Sequence, residues 1–245
     1  SSPTLQDWDD DIFISCSTCP DGSAGGFLSI YTYNEAATGL VDDATAYTPL
    51  SGITDPISFG KGYWVYLGNG QFTTSDITLD VTGPLRKSNQ TIPLSYNNYG
   101  SPVDDGWNLI HNPYPCPISW TALRGATANL DNAIYVYNAD LNSGLGGYAS
   151  FVNGVSIPAL GSGGIGDEIP MCQGFFVHST GATAINASEA VKVNTNPVFL
   201  KTNAQSSPNT NPAPLLRLKL KDTLTRDECA VYIENNAGSG FDQAY

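Results

Sequence analysis

The chain has 245 residues, a formal charge of −13 at pH 7 and only 13% charged side chains. An acidic surface repels phosphate groups, which excludes nucleic acid and anionic membranes as partners, and no apolar run is long enough for direct insertion into a membrane. Abundant Gly, Asn, Ser and Thr, with few Glu and Lys, disfavour helices and are typical of extracellular β proteins. We therefore expect an all-β protein that is extracellular or lies on the outer cell surface.

Near its start the chain carries an acidic segment, in which Asp7, Asp9 and Asp11 surround Trp8. Alternate carboxylates on a loop supply the hard oxygen ligands that calcium prefers, so a calcium site is one interpretation. The other is a solvated acidic loop, because no glycine occupies the position that an EF-hand requires. We expect no cofactor, with calcium at these carboxylates as the alternative.

Cys16 and Cys19 follow, with the spacing of a redox pair or of half a zinc site. A zinc site needs a second pair at similar spacing, which the chain lacks. A redox motif should begin a helix, whereas these cysteines precede the turn-forming residues 20–22. The sequence favours a disulfide that closes a small loop, or two free thiols.

Short segments rich in aromatic and β-branched residues alternate with turn-forming Gly, Pro, Asn and Asp along the chain. They predict strands near 27–33, 61–67, 76–81, 107–111, 133–138, 147–152, 173–178 and 189–194, with one short helical turn after Trp120. In the second strand, alternation places Tyr63 on one face and Trp64 with Tyr66 on the other. These three side chains either pack in a core or form a stacking platform for polysaccharide.

The chain also matches itself at an offset of 112 residues. Trp8 aligns with Trp120, and residues 62–66 align with 174–178 with apolar character kept at each position. Residues 30–34 match 134–138 at an offset of 104. This agreement predicts tandem β-sandwich or jelly-roll-like repeats with little or no helix.

The repeats set the predicted domain organisation. The first repeat spans 1–98 and is truncated at its N-terminal end, and the second spans 99–201. An Asn/Ser/Pro-rich linker at 202–214 separates them from a further, truncated β segment at 215–245. That segment begins with apolar residues that alternate with basic ones, as in a half-buried strand, at Leu216, Leu218 and Leu220.

Within the second repeat, residues 106–115 are GWNLIHNPYP and residues 118–120 are Ile-Ser-Trp. This stretch resembles the "GWNLIGNPYPSPIDW" segment frequent in large secreted proteins of Bacteroidota, which are clients of the type IX secretion system. Further matches at 133–138 and 169–177 extend the resemblance. It implies surface display or release by that route, and it implies no particular activity.

Departures from that pattern are cysteines where the family has small residues or proline. Cys116 and Cys172 belong to the same repeat, which suggests a disulfide between them, and two independent buried thiols are the alternative. His111 and His178 lie at corresponding strand ends and would complete a metal site with these cysteines, although the spacing matches no compact ligand motif. Thr223 lies in a triplet that resembles the O-glycosylation acceptor pattern of the same bacteria.

Catalytic motifs are missing from the sequence: we find no nucleophile elbow, no zinc-protease helix and no phosphate-binding glycine loop. We predict a non-enzymatic structural or adhesive module of a secreted cell-surface protein. It would interact through loops and sheet edges with other surface proteins or with itself. The alternative is a carbohydrate-binding accessory region of a secreted hydrolase, with polysaccharide held on Tyr63, Trp64 and Tyr66.

Overall fold

The computed structural model describes most of the chain and divides it into two compact units, Ser1–Thr202 and Asn203–Tyr245. The described residues are 3–9, 11–19, 28–37, 44–66, 85–100, 104–125, 127–139, 141–160, 162–197, 215–221 and 226–232. The predicted strand 76–81 and the predicted linker 202–214 lie outside them. The all-β class is confirmed, since the described elements are mainly antiparallel strands.

The described residues contain fourteen strands and a few short helical turns. They are β1 (Ile30–Tyr33), β2 (Tyr47–Pro49), β3 (Tyr63–Val65), β4 (Gln90–Leu94), β5 (Trp107–His111), β6 (Ile118–Ser119), β7 (Ala133–Asn138), β8 (Gly147–Val152), β9 (Val155–Ile157), β10 (Glu168–Ile169), β11 (Gly174–His178), β12 (Thr183–Ala187), β13 (Leu215–Lys221) and β14 (Arg226–Tyr232). The helices are α1 (Trp120–Arg124) and α2 (Leu141–Gly144), and 3-10 turns lie at Leu5–Asp7, Ala44–Ala46 and Glu189–Val191.

Two sheets dominate the first unit. The smaller has the order β2-β1-β3, and the larger has the order β5-β11-β7-β8-β9. Positions that the sequence match aligns occupy equivalent places in them. Tyr31 lies opposite Trp64 in the small sheet, and Tyr135 lies opposite Phe176 in the large one.

The large sheet separates two hydrophobic clusters because its residues alternate in direction. One face contributes Ile110, Val136 and Phe175 to the main core, which the β4–β12 pair and α1 also line. The other face contributes Leu109, Tyr135 and Phe176 to a second cluster, shared with Tyr33 and Tyr47 of the small sheet. The remaining face of the small sheet covers a third cluster that contains Leu5, Ile14 and Ile30.

The division at 98/99 is not a boundary between compact units. Strand β4, placed by the sequence in the first repeat, pairs along its whole length with β12 of the second. The small sheet is apolar on both faces, and the large sheet covers one of them. The two sheets therefore pack as a sandwich to which each predicted repeat contributes one sheet.

The predicted strand at 189–194 is wrong. A 3-10 turn at Glu189–Val191 stands there, and Lys192 then forms a single bridge to Ile118. The turn lets Val191 enter the main core while Glu189 accepts hydrogen bonds from the Ser88 amide and the Lys192 ammonium group. Apolar alternation therefore indicated burial correctly and the backbone conformation incorrectly.

The second unit contains the antiparallel pair β13–β14. Leu216 lies opposite Val231 and Leu218 opposite Cys229 in its register. The structure thus has a strand where the sequence predicted one after residue 215.

Candidate functional site

An aromatic interface joins the small sheet to the large sheet. We use this name for Tyr33, Tyr47, Trp64, Tyr137, Tyr148 and Phe176. The ring centroids of Trp64 and Tyr137 lie 4.5 Å apart, and those of Tyr33 and Phe176 lie 5.2 Å apart. Interplanar angles in these pairs are 56° and 83°, the tilted and edge-to-face arrangements by which aromatic rings pack.

The predicted polysaccharide platform is not formed as a unit. Tyr63 packs on the opposite face, against the cluster around Leu5, and its hydroxyl accepts a hydrogen bond from the Ser58 amide at 2.6 Å. Trp64 is partly buried in the aromatic interface, while Tyr66 is exposed. Strand alternation thus separates Tyr63 from the other two, as the sequence indicated, and packing between sheets occupies Trp64.

Glycines at matched positions bring the two sheets into backbone contact. The Gly62 amide donates to the Leu109 carbonyl at 3.0 Å. A Cβ atom on Gly62 would lie 2.6 Å from the Ile110 carbonyl oxygen, whereas one on Gly174 would meet nothing closer than 3.8 Å. Gly62 is therefore required for the close approach of β3 to the edge of β5.

His111 is a partly buried hydrogen-bond acceptor next to this contact. The Gly60 amide donates to its Nε2 atom at 3.3 Å, and Phe59 packs against its ring. Burial, and then the positive charge of Arg86, lowers the pKa of His111 from 6.5 to about 4. The imidazole is neutral at pH 7, and its hydrogen bond with Gly60 connects the segment before β3 to β5.

His178 lies too far from His111 to share a metal ion with it. Their register partners, Trp107 and Gly174, stand at opposite ends of β5–β11, roughly 13 Å apart at the usual rise per residue. The Nδ1 atom of His178 lies 2.7 Å from Asp131 Oδ2. Among the described residues, no three His, Cys, Asp or Glu side chains are grouped so as to hold a metal.

The predicted bridge between Cys116 and Cys172 is wrong, because both are free thiols. Cys116 packs against the main core, whereas Cys172 is exposed on a turn with a left-handed backbone (φ 61°). The Asn112 side chain joins these segments instead, since its amide donates to the carbonyls of Cys116 and Pro170 at 2.8 and 3.0 Å. Cys16 and Cys19 form the predicted loop-closing disulfide.

Asp7, Asp9 and Asp11 are not grouped as the predicted calcium site requires, since no three metal-binding side chains come together among the described residues. Asp7 is used in a capping box, where its Oδ2 atom accepts from the Thr4 amide at 2.8 Å. The Asp7 carboxylate is thereby directed at the 3-10 turn that precedes Trp8. Thr223 lies outside the described residues.

Buried polar groups fix the connection between the two sheets. The amides of Asn97 and Gly106 donate to Glu35 Oε1 at 2.6 and 3.1 Å. Beside them lies a cleft of about 60 Å³, lined by residues that include Tyr33, Glu35 and Asn108.

An exposed apolar surface, which we name the β8–β9 margin, was missed from the sequence. It consists of Leu145 (85% exposed), Tyr148 (44%), Val155 (59%), Ile157 (53%) and Leu160 (70%). The signal was available, since residues 141–166 contain no Asp, Glu, Lys, Arg or His. Large apolar side chains on such an uncharged stretch indicate a contact surface.

Comparison with known proteins places the chain in a family. The model of a family described as a domain of unknown function, DUF8693, matches residues 22–245, and the chain belongs to it. No curated protein and no solved structure matches the chain. Within the described residues, no helix has the length and apolar character needed to cross a membrane.

Proposed function

We propose that the chain is a non-enzymatic structural and adhesive module of a secreted cell-surface protein, which acts through loops and sheet edges. The aromatic interface carries the proposal. Trp64 and Tyr137, which would be the natural rings for stacking on sugar, pack against each other across two sheets. The resemblance of residues 106–120 to secreted proteins of Bacteroidota supports the location.

Side chains suited to chemistry are similarly committed to structure. His111 accepts from a backbone amide, His178 is held by Asp131, and Glu35 accepts two amide hydrogen bonds in the connection between sheets. A general base needs free access to a substrate proton. These three groups support a scaffold better than an active site.

The arrangement also suits a spacer that holds its shape. The two sheets are joined by ring packing, by the Gly62–Leu109 hydrogen bond and by the buried Glu35 carboxylate. Three independent connections between the same two sheets restrict their relative motion. What remains for partners is the outer surface, above all the β8–β9 margin.

A depletion experiment separates this function from carbohydrate binding. The purified chain is mixed with soluble and insoluble polysaccharides, with and without calcium, and the protein left in solution and any sugar released are measured. We expect no saturable retention and no release. Retention that disappears in Tyr66→Ala, which alters an exposed ring, but persists in Leu85→Ala would contradict the proposal and favour the accessory carbohydrate-binding region. Release of sugar would contradict it in favour of a hydrolase.

A further inference from the structure

The strand residues of the β8–β9 margin lie on the same face of the large sheet as the aromatic interface, while Leu145 precedes β8 and Leu160 follows β9. Tyr148 lies opposite Tyr137, and the register of β8 with β9 places Val155 and Ile157 on that face as well. Tyr148 marks the boundary, because its ring lies 6.5 Å from that of Trp64 while nearly half of its surface is exposed. The small sheet thus covers one part of this continuous apolar face and leaves the other part, at the β8–β9 margin, exposed.

Charge distribution sets the margin apart from the rest of the molecule. The chain carries 23 acidic and 10 basic residues, yet none falls within 141–166. Exposed sheet edges are usually protected by charged side chains or proline. Here Pro158 ends β9, but the face formed by Val155 and Ile157 carries no such charge. Covering it requires no charged group to lose its water.

The size of the margin limits what can bind there. Its five large side chains together expose on the order of 500–600 Å², the size of the largest patch on a typical monomer. Two such surfaces facing each other would bury on the order of 1,000–1,200 Å², near the lower limit for a specific interface. The area therefore fits a weak, reversible association.

We propose that the β8–β9 margin binds the same margin of a second copy of this chain. The inference rests on the proposed function, and it names the partner of that adhesive surface. The covered half of the face shows the kind of element it accepts, an uncharged sheet face rich in Tyr and Trp. A second margin also supplies an uncharged apolar face, made of aliphatic side chains and Tyr148, and a two-fold arrangement presents identical residues from both copies.

The net charge of −13 on each copy opposes this association at long range. Added salt screens that repulsion, and the uncharged contact has no ion pairs for salt to weaken. The dimer should therefore tighten as salt rises from 20 mM to 500 mM, roughly the range over which the Debye length falls from about 20 Å to about 4 Å. An interface built on ion pairs would show the opposite dependence.

Sedimentation velocity of the whole chain over a wide concentration series tests the proposal. We expect a reversible monomer–dimer equilibrium that strengthens with salt. Val155→Lys combined with Ile157→Lys should raise the dissociation constant at least tenfold, whereas Leu85→Lys, at an even more exposed leucine outside the margin, should not change it. If the strand substitutions disturb folding, Leu145→Lys combined with Leu160→Lys tests the turns that flank the same surface.

A chain that stays monomeric at millimolar concentration and 500 mM salt would overturn the proposal. So would a dimer that the margin variants leave unchanged. Neither result bears on the polysaccharide experiment, which tests the proposed function by retention on sugar. The two proposals therefore fail separately.

Discussion

The two predicted repeats place their matched tryptophans in different surroundings. Trp120 is fully buried in the main core, at the start of α1 and 6.2 Å from the ring of Phe175. Trp8 is only partly buried and meets Tyr63 edge-to-face at the same distance of 6.2 Å. The second repeat encloses its tryptophan in the main core, which the β4–β12 pair also lines, whereas Trp8 directly follows the 3-10 turn Leu5–Asp7.

From this difference we expect equivalent strand pairing to give unequal stability. The small sheet has three short strands and a small core closed by the Cys16–Cys19 disulfide. Its second face is covered by the large sheet through the aromatic interface. The stability of the first predicted repeat therefore depends on the second repeat more than the stability of the second depends on the first.

The largest expected effect comes from the matched tryptophans themselves. Trp120→Ala should lower the free energy of unfolding by about 4 kcal/mol, as is usual when a fully buried large ring is removed. Trp8→Ala should cost about half as much, because part of its ring already contacts water. Denaturant unfolding of both variants measures the difference. Equal losses would contradict the contrast between the two cores.

Acidification should weaken the join between the regions at His111. Because its folded pKa of about 4 lies below 6.5, the contribution is fully present above pH 6.5 and is lost as pH falls towards 4. The loss should reach about 3 kcal/mol, since each unit of pKa shift corresponds to about 1.4 kcal/mol. In His111→Asn, the difference between the unfolding free energies at pH 7 and pH 4 should be smaller than in the wild type by that amount. The same pH dependence in both proteins would exclude this role.

The matched glycines Gly62 and Gly174 should differ in how much their substitution lowers stability. Gly62→Ala forces a Cβ atom against the Ile110 carbonyl and should cost about 2 kcal/mol by overpacking. Gly174→Ala meets only ordinary contacts and should change stability by less than about 1 kcal/mol. Thermal or denaturant unfolding of the two variants provides the test. A larger loss of stability in Gly174→Ala than in Gly62→Ala would contradict the close approach of β3 to β5 at Gly62.

The disulfide should stabilise the first region modestly. Replacing Cys16 and Cys19 by serine removes a bridge between residues three apart, and so short a loop should contribute about 2 kcal/mol. Cys172→Ser alters an exposed free thiol and should change the unfolding free energy by less than about 0.5 kcal/mol. Losses of similar size in both variants would remove the special role of the bridge.

Much of the large sheet was predictable because its strands carry local signals. The predicted ranges 107–111, 133–138 and 147–152 coincide with β5, β7 and β8. In each, aromatic and β-branched residues lie between turn-forming residues. Strand β4 was missed because it contains Pro93 and its partner β12 is distant in sequence, so its pairing has no local signal.

The site was less predictable than the strands. Alternation placed Tyr63 and Trp64 on opposite faces correctly, but it could not show that Tyr137 would cover Trp64. That contact depends on how two sheets pack. The Cys116–Cys172 bridge failed for a similar reason, because the left-handed backbone at Cys172 fixes its side-chain direction and leaves it exposed.

A double-mutant cycle between Trp64 and Tyr137 tests whether the aromatic side chains hold the two sheets together. Unfolding free energies are measured for the wild type, Trp64→Ala, Tyr137→Ala and the double variant. Packed ring pairs contribute about 0.5–1.5 kcal/mol beyond burial, so we expect a coupling of about 1 kcal/mol. A coupling of zero, with Trp64→Ala leaving stability unchanged, would contradict the account and return Trp64 to the candidates for ligand binding.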